Sequence, residues 1–262
     1  MPLRSMGGLL NYTAGIALGG VAAAAAGITA WSAVAPSAQL FGPTIWRTSS
    51  SRKIALTFDD GPNPAVTPRL LELLGRHSVR ATFFLVGKFA LACPELVREI
   101  SARGHVLGNH SHTHANLFLR SGIGIRDELL RCQEAIAAAT REHPPLCMRP
   151  PFGYRNPLLQ AEVRRAGMHD VVMWSLICQD WKPQPPGRLI EKLARAARTD
   201  RAHGDIILLH DGDHRALGGE RLHVVAALEH WLPRWRDSGM EFVTMEPSTL
   251  AQTSDTLRSP RA

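Results

Sequence analysis

Cysteine is scarce in this chain of 262 residues: Cys93, Cys132, Cys147 and Cys178 are widely separated and form no Cys-x-x-Cys pair. That excludes a disulfide-built scaffold and a zinc knuckle. Charge is missing from one long stretch, where no Asp, Glu, Lys, Arg or His stands between Arg4 and Arg47. Lysine is rare throughout, so the formal net charge of +7, from 30 Lys and Arg against 23 Asp and Glu, is carried by arginine. No dense basic run with interleaved aromatics follows from this excess, which argues against a nucleic-acid partner. With 45% hydrophobic and 20% charged residues, the composition excludes a disordered chain, a collagen-like repeat and a polytopic membrane protein.

The uncharged stretch is informative for what it does contain. From Ala14 to Ala35 it is almost wholly Ala, Gly, Val, Ile and Leu, long enough to cross a bilayer as one helix. A buried Ala-rich core helix does not explain why no face carries a charge. Residues 1–38 are therefore expected to be an N-terminal membrane anchor with its start in the cytoplasm. The alternative is a signal segment cleaved after Ala33-Val34-Ala35, a small-x-small pattern that Pro36 makes less suitable. Either reading puts the rest of the chain outside the cytoplasm, as a membrane-anchored or a secreted protein.

After an expected linker over 39–53, apolar runs and helical periodicity alternate. Strands are predicted over Ile54–Phe58, Ala81–Val86, His105–Asn109, Leu146–Arg149, Val171–Leu176, Asp205–Leu209 and Glu241–Met245. Helices are predicted over Thr67–His77, Pro94–Arg103, Ile125–Arg141, Pro157–Ala166, Pro186–Arg198 and His223–Asp237. Continuous apolar strands separated by helices imply a parallel sheet covered by helices. About seven such units fit one α/β barrel rather than two domains. The expected organisation is a single catalytic domain over 54–247, followed by a polar tail over 248–262.

In such barrels chemistry collects where strands end and loops begin. Five ends carry polar residues: Asp59-Asp60, His110 with His114, Arg149, Asp180 beyond a loop, and His210-Asp211. Histidines four apart share a helix face, and alternate ones share a strand face, so either geometry can aim two imidazoles at one divalent metal. Exposed or capping histidines are the bland alternative. A carboxylate completes a three-ligand site that leaves positions for water and substrate. Asp59-Asp60-Gly61-Pro62 can supply it. Neighbouring strand residues point to opposite faces, so both carboxylates reach one site only where the strand breaks into a turn. A turn or helix-capping Asp pair is the competing reading.

Taken together, Thr57-Phe58-Asp59-Asp60-Gly61-Pro62, His110-Ser111-x-x-His114, Arg149-Pro150-Pro151-Phe152-Gly153, Asp180-Trp181 and Leu208-Leu209-His210 resemble the five ordered motifs of the NodB-homology polysaccharide deacetylases, carbohydrate esterase family 4. The resemblance runs from Ile54 to about Met245. It implies a distorted (β/α)7-type barrel and hydrolysis of N-acetyl, sometimes O-acetyl, groups on sugars with release of acetate. It implies that Asp60, His110 and His114 hold a divalent metal, most commonly zinc, with cobalt or nickel in some members. It makes Asp59 the general base, Arg149 the partner that orients it, and the main-chain N–H of Phe152 an oxyanion donor. Tyr is usual at that last position, but a main-chain donor survives the change. His210 is implied as the general acid and Asp180 as the carboxylate that raises its pKa. Trp181 and Leu208 are implied as walls of the acetyl pocket, with plain core packing the alternative for Trp181.

One departure is visible: the fourth motif is often Asp-x-x-Asp-Trp, and Ile177 occupies the first position. Asp211 and Asp213 stand in a Gly-containing loop, 210–221, that reads as a flap near the site. The resulting expectation is a metal-dependent deacetylase of an N-acetylated glycan of peptidoglycan or chitin type. A non-catalytic glycan-binding relative and a metal-dependent hydrolase of a non-sugar amide are the alternatives. The first would have shed its ligands or base, and all five of Asp59, Asp60, His110, His114 and His210 are present.

Overall fold

The structure is a computed structural model that describes residues 6–197, 200 and 202–246, with side chains from residue 20 onward. The uncharged N-terminal stretch forms helix α1 (Met6–Val34). Strand β1 (Lys53–Gly61) is buried along its length except at Lys53, as its apolar run requires. Then follow α2 (Thr67–Arg76), β2 (Thr82–Leu85), α3 (Gly87–Ala92), α4 (Pro94–Ala102), β3 (Val106–Asn109), α5 (Gly122–Thr140), β4 (Cys147–Met148), α6 (Leu159–Arg165), β5 (Asp170–Val171), β6 (Leu176–Ile177), α7 (Pro186–Leu193), β7 (Ile206–His210), α8 (Leu222–Asp237) and β8 (Glu241–Phe242). All strand pairs are parallel, and the sheet runs β5-β4-β3-β2-β1-β7-β6, with β8 pairing the start of β1. The architecture is a half-barrel of parallel strands covered by helices.

Burial follows the periodicity. Leu70, Leu71, Leu73 and Leu74 of α2 are fully buried, and Pro68 stands in its first turn. Phe58 and Phe83 from adjacent strands meet at 5.0 Å between ring centroids. The expected single strand over Val171–Leu176 is corrected to two short ones at opposite ends of the sheet. The backbone between them changes partner: the Met173 N–H donates to Ile45 and the Ser175 N–H to Ile206. That change turns Trp174 toward the concave face, where it lines the central cavity.

The expected linker is hydrogen-bonded into the domain. Ile45 bridges Val172 beside β5, and Arg47 bridges Asp205 beside β7, so this stretch runs along the open side of the half-barrel. The end of α1 is docked as well, with Ser32 and Ala33 buried. The Arg155 guanidinium donates to the carbonyls of Ser32 at 3.0 Å, Ala38 at 2.9 Å and Ala35, while the Arg155 main-chain N–H donates to the Ala33 carbonyl at 3.0 Å. It thereby ties the last turn of α1 and the turn after it to the domain.

No helix among the described residues is long and apolar enough to cross a membrane, so the anchor expected over 1–38 finds no support here. The polar tail expected over 248–262 lies outside the described residues.

Candidate metal centre and active-site cleft

The strand ends of β1, β3, β4 and β7 converge on one cavity of about 370 Å³. At the end of β1 the pairing register with β2 skips between Asp59 and Gly61, and Asp60 takes a left-handed φ of 69°. This irregularity rotates Asp60 onto the face that Asp59 already occupies, and both carboxylates line the cavity while almost fully buried. The turn is closely backed: a Cβ on Gly212 would lie 2.0 Å from the Asp60 carbonyl oxygen, so only glycine fits there.

His110 follows β3, yet 110–114 is neither strand nor helix. The expectation that one of those periods aligns the two imidazoles is thus corrected. Left-handed Ser111 (φ 60°) and His114 (φ 59°) fold the segment back. Asn109 holds it by accepting from the Ser111 N–H, and Glu128 of α5 by accepting from the N–H and hydroxyl of Thr113. His112 turns away, against Gly87. The Nδ1 of His110 lies 2.8 Å from the Arg149 carbonyl, which can only accept, so the proton sits on Nδ1 and Nε2 presents a lone pair. Burial drives the His110 pKa down to about 4 against the opposing pull of Asp59, so this imidazole is neutral.

Asp60 Oδ1 lies 3.1 Å from His114 Nε2 and 3.5 Å from His110 Nε2. It is a buried oxygen without a hydrogen-bond partner, and the three ligand atoms lie within 4.8 Å of one another. Burial would raise the Asp60 pKa, but the close His114 and His214 side chains, with His210 and His110 nearby, hold it well below the usual carboxylate range. An anionic oxygen facing two imidazole nitrogens is a donor set for a divalent cation of the zinc, nickel or cobalt kind.

The neighbouring Asp59 is bound differently. Fully buried Arg149 donates to Asp59 Oδ1 at 2.8 Å and Thr57 Oγ1 at 2.7 Å, and to the carbonyls of Met173 at 2.8 Å and Val172 at 3.2 Å. Its guanidinium stacks 4.3 Å from the Phe84 ring centroid. Asp59 Oδ2 remains for the cavity, 3.7 Å from His110 Nε2.

Across the cleft, Asp180 receives the His210 main-chain N–H at 2.6 Å and His210 Nδ1 at 3.0 Å. Burial lowers the His210 pKa, but the Asp180 charge and hydrogen bond, with Asp60 and Asp59, outweigh it and lift the value to about 9. Trp181 meets the His210 ring edge-on at 5.4 Å, and Leu208 lies on the same wall. Phe152, at a left-handed φ of 59° and 47% exposed, forms the opposite rim. Ile177 also reaches the cavity, giving an apolar rim where the fourth motif often has a carboxylate.

The structure brings together every site residue expected from the sequence. It separates the two loop aspartates: Asp213 lines the cavity, whereas Asp211 is buried under the β1 turn against Thr67, and burial pushes its pKa up to about 7. Sequence reasoning missed Trp174, Tyr154 and His214 on the cavity wall. Only His214 left a signal, its spacing of four from His210.

A family model described as polysaccharide deacetylase matches residues 47–171. The chain is 36% identical over 199 residues to a chitooligosaccharide deacetylase of Bradyrhizobium, covering 74% of this chain and 89% of that protein. It is 35% identical over 204 residues to a peptidoglycan-N-acetylglucosamine deacetylase of Listeria monocytogenes, covering 78% of this chain but only 40% of that longer protein. Among solved structures, a peptidoglycan N-acetylglucosamine deacetylase superposes with a TM-score of 0.69 at 30% identity, covering 79% of this chain and 91% of the other.

Proposed function

Because the chain belongs to the polysaccharide deacetylase family, we propose that it hydrolyses the N-acetyl group of a sugar in a peptidoglycan- or chitin-type glycan, releasing acetate and leaving a free amine. The observation that carries this reading is the placement of two differently tethered carboxylates and a histidine paired with Asp180 around one cleft. A divalent metal held by Asp60, His110 and His114, with zinc the best fit, would supply Lewis acidity to the acetyl carbonyl and to a water.

The chain's own groups provide the proton transfers. Asp59, fixed through Oδ1 by Arg149, offers Oδ2 as general base to the attacking water. The water oxygen bonds to the carbonyl carbon, and the main-chain N–H of Phe152 is the donor for the resulting oxyanion. His210 then delivers its proton to the amine nitrogen as the C–N bond breaks. With its pKa near 9 it carries that proton at neutral pH. Trp181 and Leu208 bound a space suited to the acetyl methyl. An N-acetylated wall or extracellular glycan as substrate carries with it an extracytoplasmic location.

The test is acetate release by the full chain from peptidoglycan fragments and from chitooligosaccharides, metal-stripped and then supplied with zinc or cobalt, beside Asp59→Asn. Metal-restored release that the substitution removes is expected. Zinc binding without release from any glycan would overturn the reaction, and release from simple amides alone would favour a non-sugar substrate.

A further inference from the structure

His214 is not one of the three convergent ligands, yet it touches two of them. Its Nδ1 lies 3.5 Å from Asp60 Oδ2, the oxygen turned away from His110 and His114. Its ring stacks on His114 at 4.2 Å between centroids and 18° between planes. Metal-binding histidines almost always give their second nitrogen an outer hydrogen-bond partner, which sets ring orientation. His110 has one in the Arg149 carbonyl, whereas the buried Nδ1 of His114 has none. What holds the His114 ring is packing: the face of His214 on one side and the edge of Phe152, at 4.5 Å, on another.

The loop that carries His214 is tied down rather than free. Lys88 of α3 donates to the His214 carbonyl at 2.8 Å, Asn63 donates to the carbonyls of Asp211 and Gly219, and Arg221 pairs with Asp213 at 3.3 Å. The flap expected from the Gly content of 210–221 is thus anchored at several points, and His214 arrives at the site in a fixed pose.

We propose that His214 is a positioning residue of the metal centre, donating from Nδ1 to Asp60 Oδ2 so that Oδ1 alone faces the metal, and clamping the His114 ring by stacking. The assignment rests on the metal-site reading above. It predicts an effect on metal affinity that no role in substrate contact would produce.

The experiment is zinc binding to the metal-free full chain by competition with a chromophoric chelator, for the parent and for His214→Ala, His214→Gln, His214→Phe and Arg215→Ala. His214→Ala should bind zinc about 10- to 100-fold more weakly, the range seen when outer partners of metal ligands are removed. Gln restores a donor and Phe restores a ring face, so each should recover part of the loss. Arg215→Ala, an exposed neighbour on the same loop, should stay within about twofold. Cobalt(II) loaded into His214→Ala should keep the parent's absorption bands, because no ligand is lost; a spectrum showing loss of a nitrogen ligand would overturn the outer role. Equal zinc affinity in parent and His214→Ala would overturn the proposal outright. A parent that binds no zinc would instead bring down the metal reading, a different and separately recognisable failure.

Discussion

The Asp180–His210 pair gives the sharpest test, through Asp180→Asn. Asp180 is completely buried and accepts both the main-chain N–H and the Nδ1–H of His210. Its charge and hydrogen bond are the chief reasons the His210 pKa stands near 9 rather than at the ordinary 6.5, despite the burial that opposes them. That difference corresponds to roughly 3 kcal/mol at 1.36 kcal/mol per pH unit. Because the folded-state value is raised, the stabilisation is complete below about 6.5 and is lost as pH rises through about 9. A metal beside Asp60 would cancel part of that carboxylate's upward pull, so metal-free protein should show the highest value. Asparagine preserves the shape and removes the charge, leaving burial less opposed. The His210 pKa should fall toward or below 6.5, and kcat/KM at pH 7.5 should drop roughly 10- to 100-fold, following the protonated fraction of the acid. The loss should shrink as pH is lowered toward 5.5. The assay is acetate release against pH for parent and variant, with an NMR titration of His210 as direct readout. A loss by the same factor at every pH, with the basic limb unmoved, would refute the reasoning.

Three further outcomes follow from the geometry. Arg149→Met leaves Asp59 buried without its counter-ion and should destabilise the fold by about 3–5 kcal/mol while abolishing turnover, measured by urea unfolding and acetate release. Gly212→Ala forces a Cβ onto the Asp60 carbonyl; it should cost about 1–3 kcal/mol and weaken zinc binding, because the turn that presents Asp60 must shift. Arg155→Ala releases the carbonyls of Ser32, Ala35 and Ala38 and should make residues 32–38 markedly more sensitive to limited proteolysis, with near-parental acetate release.

The sequence by itself determined the alternation of strand and helix and the strand ends at which to look, because buried parallel strands read as apolar runs and their C-terminal ends carry the polar residues. It also identified Asp59, Asp60, Asp180, His110, His114 and His210 of the cleft. It could not determine how Asp59 and Asp60 share a face, which needs a register skip and a left-handed residue in β1, nor how His110 and His114 converge, which depends on Asn109 and Glu128 holding an irregular segment. Short strands were hard to read for the same reason: two-residue β5 and β6 owe their existence to partners more than 20 residues away, not to local pattern. The spacing of His214 from His210 was a signal, but its role was not legible because it lies in contacts to Asp60, His114 and Phe152, which only the folded chain brings together. Local chemistry specified which groups are present; the tertiary structure decided which of their atoms face one another, since those distances are set by packing between elements remote in sequence.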